Sequence, residues 1–135
     1  MLAVIDTNIL VSALWSRNGS PAKVLSLVLN GKVIPCIDSR IMHEYRAVLS
    51  RPKFGFTGHE IDALLSWFED YGFSVVPEPL EDAFIDEADK KFYEVAKHCG
   101  AVLVTGNLKH FPSDPQIVNA ATFLEMVQRQ YRTEK

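Results

Sequence analysis

Three carboxylates, Asp6, Glu44 and Asp89, occupy positions where more than solvation is expected of them. Asp6 ends the apolar run Leu2–Ile5 in the stretch VIDTN. A buried strand leaves such a charge little water, so it needs a cation or several hydrogen-bond donors. The plainer role is capping the next segment through Thr7, Asn8 or Ile9, and the two roles are compatible. Glu44 lies in SRIMHEYRAVLS, where Ile41, Tyr45 and Val48 recur at helical spacing. It falls about 60° from Ile41 around that helix, at the border of the apolar stripe. Its stem can therefore be covered while its carboxylate reaches a crevice; the alternative is a solvated glutamate paired with Arg40. Asp89 opens DEADKKFYEVAKHCG at the edge of a stripe formed by Ala88, Phe92, Val95, Ala96 and Cys99. An acidic first turn also complements the helix dipole, and for Asp86 we adopt that capping role.

The elements that must position these groups alternate in type. Leu2–Ile5, Val33–Ile37, Phe73–Val76, Ala101–Val104 and Ile117–Val118 read as short buried strands. Helices are predicted over Asn8–Trp15, over Pro21–Leu29 with Ser20 as its cap, and from Asp38 or Ser39 to about Ser50. Further helices follow Thr57 to Tyr71, run from Glu87 to Cys99 with Gly100 as the stop, and span Ala121–Gln130. Short apolar strands alternating with helices predict an α/β fold, a parallel sheet of four to five strands covered on both faces. Ligands of such sheets bind beyond the carboxyl ends of the strands. The residues there are Asp6-Thr7-Asn8, Asp38-Ser39 and Thr105-Gly106-Asn107. Carboxylates gathered at one sheet edge repel one another, and a hard divalent cation relieves that repulsion. An all-oxygen site suits Mg²⁺ or Mn²⁺, ions that serve phosphoryl chemistry.

At these residues the chain resembles the PIN-domain family. VIDTNILVSAL is similar to that family's first motif, Glu44 to its helix glutamate, and Asp89 with Phe92 and Ala96 to its third acidic motif. VLVTGNLKHFP, from Val102 to Pro112, is similar to the motif after the fourth strand, in the form found in a bacterial branch catalogued as toxin components of toxin–antitoxin pairs. The resemblance implies a three-layer α/β/α sandwich, divalent-metal-dependent cleavage of single-stranded or structured RNA, and dimerisation, with an antitoxin protein as a further partner. It also marks a departure, since many members carry aspartate where this chain has Asn107.

On this reading Asp6, Glu44 and Asp89 hold the metal, Asp6 and Asp89 carrying the principal ion directly or through water, and Glu44 also positions or deprotonates the attacking water. Asn107, also a candidate ligand, and Thr105 orient ligands or the scissile phosphate, while Asn8 supports Asp6. Lys109 and His110 rank first among candidates for RNA contact, with Arg46 among the remaining basic residues. Asp114 is the one acid near Asn107 that could replace the missing charge. Trp15, Trp67 and Tyr71 could stack on bases, but their helical spacing favours the core. The rival reading is a catalytically weak or inactive fold of the same type that binds RNA or a protein, and Asn107 is what keeps it open. Aspartyl-phosphate chemistry needs a second aspartate two residues after Asp6, where Asn8 stands.

The bulk properties leave these readings standing. At 135 residues the chain fits a single domain, 1–135, and 47% hydrophobic with 23% charged residues is an ordinary globular composition. The net charge of −3, from 14 basic and 17 acidic residues, does not decide for or against nucleic acid, because the charge that matters is local. Cys36 and Cys99 form no zinc or redox motif and are expected to pack as small hydrophobes. No apolar stretch is long enough to span a membrane, and a cytoplasmic location is expected.

Overall fold

Short apolar strands that can be buried only by covering both faces form the centre of the molecule. A computed structural model, describing residues 1–81, 84 and 86–133, gives their arrangement. The strands are β1 (Leu2–Ile5), β2 (Ile34–Ile37), β3 (Phe73–Ser74), β4 (Val102–Val104) and β5 (Ile117–Val118). They form one parallel sheet in the order β3-β2-β1-β4-β5. β1 is central, with Ala3 opposite Val102 and Ile5 opposite Val104, and Ala3, Val4 and Ile5 are fully buried. Among the described residues, six α-helices cover the sheet: α1 (Thr7–Trp15), α2 (Ser20–Leu29), α3 (Ser39–Leu49), α4 (Gly58–Tyr71), α5 (Lys90–Cys99) and α6 (Ala120–Thr133). α2 packs on α1 and α6, while α5 lies across β1, β2 and β4. The result is the three-layer α/β/α sandwich expected. Strand order runs outward from β1 through β2 to β3 and then reverses, with β4 on the other side of β1. That reversal opens a crevice between the carboxyl ends of β1 and β4.

Helix boundaries follow local chemistry. Asp38 caps α3 by accepting from the Ile41 N–H at 2.8 Å, and Thr57 caps α4 by accepting from Glu60 at 3.1 Å. Gly100 ends α5 in the left-handed region at φ 63°, a conformation that favours glycine. The cap of α2 is Gly19 and not Ser20; Ser20 is already helical, and Pro21 fits the first turn, where an N–H has no partner. β2 and β3 are shorter than expected. The Val33 N–H is taken by the Leu27 carbonyl at the end of α2. At the far end Asp38 leaves β2 to cap α3, so Val76 has no neighbour to pair with and is 92% exposed.

Around Tyr45 the core is aromatic: its ring lies edge-on to Phe68 at 5.6 Å and tilted to Phe92 at 6.4 Å. Val24, Leu25 and Val28 of α2 and Leu64, Leu65 and Phe68 of α4 are buried. The exposed large side chains nearby are Leu29, Tyr71 and Phe73. Cys36 is buried and Cys99 half-buried, both as free thiols. Burial and the neighbouring Cys99 push the Cys36 thiol up to about 12, which makes it unreactive. Among the described residues, no helix is long and apolar enough to cross a membrane.

Candidate active site at the ends of the first and fourth strands

Asp6 continues β1 for one residue, its N–H donating to the Val104 carbonyl at 2.9 Å, and then the chain turns into α1. The turn leaves its side chain in the crevice, only 4% exposed. Although Asp6 stands at the N-cap position of α1, its carboxylate makes no cap bond to Asn8 or Ile9, and of the α1 backbone only Thr7 acts on it. Its Oδ2 instead accepts from Thr105 Oγ1 at 2.7 Å and from Asn8 Nδ2 at 3.3 Å. Asn8 Oδ1 accepts from the Gly106 N–H at 3.0 Å, and Thr105 Oγ1 from the Asn107 N–H at 2.9 Å. These bonds lock the two strand-end segments together. Burial is the main cause that pushes the Asp6 carboxyl up to about 6. The negative charges of Asp89 and Glu44 push the same way, while hydrogen bonds from Thr105 and the Thr7 backbone pull it down.

Glu44 reaches this crevice because its neighbour is anchored. The buried Tyr45 hydroxyl donates to the Ile5 carbonyl at 2.5 Å, pinning the second turn of α3 to the end of β1. One Glu44 oxygen accepts from the Thr7 hydroxyl, and the other pairs with Lys91 Nζ at 2.7 Å. Lys91 also donates to the Ala88 carbonyl and lies 5.1 Å from the Phe92 ring centroid. Arg40, the partner proposed for a merely solvated Glu44, is engaged elsewhere, with Asp38 at 2.7 Å and Glu94 at 2.8 Å. Glu94 further accepts from the Leu80 N–H at 2.7 Å, and Arg40 with that N–H holds its carboxyl low despite burial.

Asp89 ends a short 3₁₀ turn, Glu87–Asp89, that leads into α5. Asp86 caps that turn by accepting from the Ala88 N–H at 2.9 Å, in line with its assigned role. Asp89 makes no capping bond; its Oδ2 meets His110 Nδ1 at 3.1 Å. Burial raises its pKa most, His110 opposes this, and the charges of Asp86 and Glu44 add to the rise.

The remaining sequence candidates are dispersed. Asn107 and Lys109 are exposed on the strand-end turn, and Asn107 lines a crevice of about 410 Å³ with Asn8, Ser12, Thr105 and Asn119. Arg46 pairs with Asp62 of α4 at 2.8 Å. Asp114 pairs with Lys97 and precedes β5, away from the strand ends, so it does not stand in for the acid missing at position 107. Trp15 and Tyr71 are 62% and 61% exposed, against the core placement expected of them, while Trp67 is partly buried and donates to the Val28 carbonyl.

Charge coupling links Asp6 to both Asp89 and Glu44, but Lys91 and His110 each occupy one of those two partners. Among the described residues, no three His, Cys, Asp or Glu side chains form a ready-made metal shell. The donors at hand are carboxylate, amide and hydroxyl oxygens around a buried, under-neutralised Asp6. That set fits a hard divalent cation of the Mg²⁺ type, which keeps several waters and takes only one or two carboxylates. Lys91 escaped sequence reading, and Thr7 and Tyr45 were read only as a strand-end residue and a member of an apolar stripe. Thr7 did carry a signal, its place in VIDTN, whereas Lys91 depends on how α5 faces α3.

A family model described as PIN domain matches residues 3–109. An uncharacterized protein of Methanocaldococcus jannaschii is 33% identical over 107 residues, covering 77% of this chain and 69% of its own length.

Proposed function

The chain belongs to the PIN domain family, whose members are generally nucleases, and from that premise we propose that it is a divalent-metal-dependent endoribonuclease. The observation that supports this most is Asp6, a carboxylate buried at the crevice with its pKa raised to about 6. A group so placed is costly to keep ionised unless a cation is bound beside it.

Asp6 and Asp89 would hold the ion, with the side-chain carbonyl oxygen of Asn107, two residues after Thr105, as a further donor. When bound, Mg²⁺ or Mn²⁺ supplies charge neutralisation for an in-line phosphoryl transfer and makes water more acidic. The chain's own residues do the rest. Thr105 and Asn8 fix the Asp6 carboxylate through its Oδ2. The Thr7 hydroxyl and Lys91 hold Glu44 in one orientation, so that it can accept a proton from the attacking water. His110, held by Asp89, and Lys109 on the same turn face an incoming phosphate.

The test is cleavage of end-labelled RNA by purified protein across a titration of Mg²⁺ or Mn²⁺. Cutting is expected to require the metal and to be lost in Asp6→Asn and Asp89→Asn. Undiminished cutting by either variant, or in excess chelator, would overturn the proposal. A second reading, an RNA- or protein-binding module without strong catalysis, is favoured by Asn107 and by Lys91 and His110, which already occupy Glu44 and Asp89. Tight RNA binding without cutting at any metal level would select it. Within the first reading we take the chain as the toxin of a toxin–antitoxin pair, cytoplasmic and homodimeric, on the likeness of VTGNLKHFP to that branch. Growth arrest on expression that fails to appear with active protein would reject the toxin role.

A further inference from the structure

From Glu44 a groove of about 610 Å³ runs along one side of α3, lined by Arg40, His43, Ala47 and Arg51, with Lys91 of α5 in its wall. From Arg40 to Arg51 it follows the helix for about 16 Å. Among the described residues, Glu44 is the one acidic side chain lining it. In a chain of net charge −3 this strip is locally basic. Arg40 and Lys91 have acidic partners, whereas Arg51 is exposed and makes no ion pair with any described residue.

Past Arg51 the chain enters the 3₁₀ turn Pro52–Phe54, the Phe54 N–H donating to the Arg51 carbonyl at 3.1 Å. Here three aromatic rings form a ledge, with Trp15 exposed, Phe54 half-buried and Phe56 packed against the core. Trp15, at the last turn of α1, meets Phe54 edge-on at 5.1 Å, and Phe54 stacks on Phe56 at 5.8 Å. Lys53 Nζ lies 5.2 Å from the Phe54 centroid. Trp15 is 62% exposed and its ring N–H has no partner among the described residues. A basic groove that reaches Arg51, followed in the chain by Lys53 and by Phe54 against the exposed Trp15 ring, matches single-stranded nucleic acid, whose backbone follows the charges while a base stacks.

We propose that this groove and ledge form an extended subsite for single-stranded RNA. The strand leaves the cleavage site along α3, its phosphates meet Arg51 and Lys53, and an unpaired base stacks on Trp15 and Phe54. This rests on the nuclease reading for what lies at the Glu44 end, and it deepens that reading by stating the path of the strand. It also predicts a preference for unpaired RNA, since a duplex cannot offer a base face to the ledge.

The experiment measures affinity of the full chain carrying Asp6→Asn, so that nothing is cut, for a fluorescent oligouridylate by anisotropy across a salt series. Adding Trp15→Ala is expected to weaken binding about five-fold or more, the loss of one stacked base. Adding Arg51→Ala is expected to reduce the slope of log affinity against log salt by about 0.7, one phosphate contact on a single strand. Arg129→Ala on α6 is the control and leaves affinity unchanged. Quenching of Trp15 emission by the oligonucleotide in a Trp67→Phe background reports the stacked base without removing it. Affinity unchanged by both Trp15→Ala and Arg51→Ala, with no quenching, overturns the subsite. Loss of a dimer in Trp15→Ala with RNA affinity intact also overturns it, by assigning the ledge to a protein contact. The nuclease reading fails separately, if the unmutated chain cuts no RNA while the binding pattern holds.

Discussion

Asn at position 6 is expected to make the metal-free protein more stable while destroying its function. The Asp6 carboxyl has a pKa of about 6 when folded, against an ordinary value of 3.8. The difference, 6 minus 3.8, corresponds to about 3 kcal/mol at 1.36 kcal/mol per pKa unit. The sign follows from linkage. Below 3.8 the group is protonated in both folded and unfolded chains and costs nothing. Above 6 it is ionised in both, and the folded state carries the full penalty, so stability falls as pH rises between these values. Asparagine resembles the protonated acid and can still accept from Thr105. Asp6→Asn should therefore raise stability at pH 8 by an amount of order 3 kcal/mol, with the gain shrinking to nothing near pH 4. Urea unfolding at pH 8, 6 and 4 in chelating buffer measures this, with a midpoint shift of roughly 1.5 M expected at pH 8. Mg²⁺ at a hundred times its dissociation constant should then stabilise the unmutated chain by about 2.7 kcal/mol and leave the variant unmoved. A variant no more stable at pH 8, or a gain independent of pH, would refute the reasoning.

Three other perturbations probe the supports of the site. Tyr45→Phe removes the hydroxyl that pins α3 to Ile5; unfolding should show a loss of about 1–2 kcal/mol, and cleavage should slow as Glu44 loosens. Lys91→Met leaves Glu44 with only the Thr7 hydroxyl, so calorimetry should show Mn²⁺ binding strengthened up to about tenfold, the effect of removing one nearby positive charge; unchanged affinity would mean Lys91 lies outside the field of the ion. In Gly72→Ala the new Cβ would lie 2.2 Å from the Phe68 carbonyl oxygen and 2.9 Å from that of Pro35, and a loss of several kcal/mol should appear in thermal or urea unfolding.

What sequence could disclose here depended on whether a residue's surroundings are local. Asp6, Asn8 and Thr105 were legible because an apolar run that stops at polar residues marks a strand end, and strand ends of parallel sheets are where ligands sit. Asp38, Thr57 and Gly100 were legible for the same local reason, as caps and a stop. The partners of Glu44 were not, because Thr7 and Lys91 lie 37 and 47 residues away and meet it only after α1, α3 and α5 have docked. Tyr45 looked like one more member of an apolar stripe, and its hydroxyl gained meaning only with the Ile5 carbonyl above it. Trp15 was misjudged for a related reason. Helical spacing assigned it to the core, yet it closes the last turn of α1, where the helix has run past the packed interior and the ring meets Phe54 outside it.

The central claim, that Asp6 and its neighbouring acids hold a divalent cation, is tested most directly by a crystal soaked in Mn²⁺ with anomalous data. The account predicts a manganese peak in the crevice between the ends of β1 and β4, within bonding distance of Asp6 and Asp89 oxygens and absent in Asp6→Asn. A crevice without manganese at saturating concentration, or a peak that persists unchanged in Asp6→Asn, would contradict it.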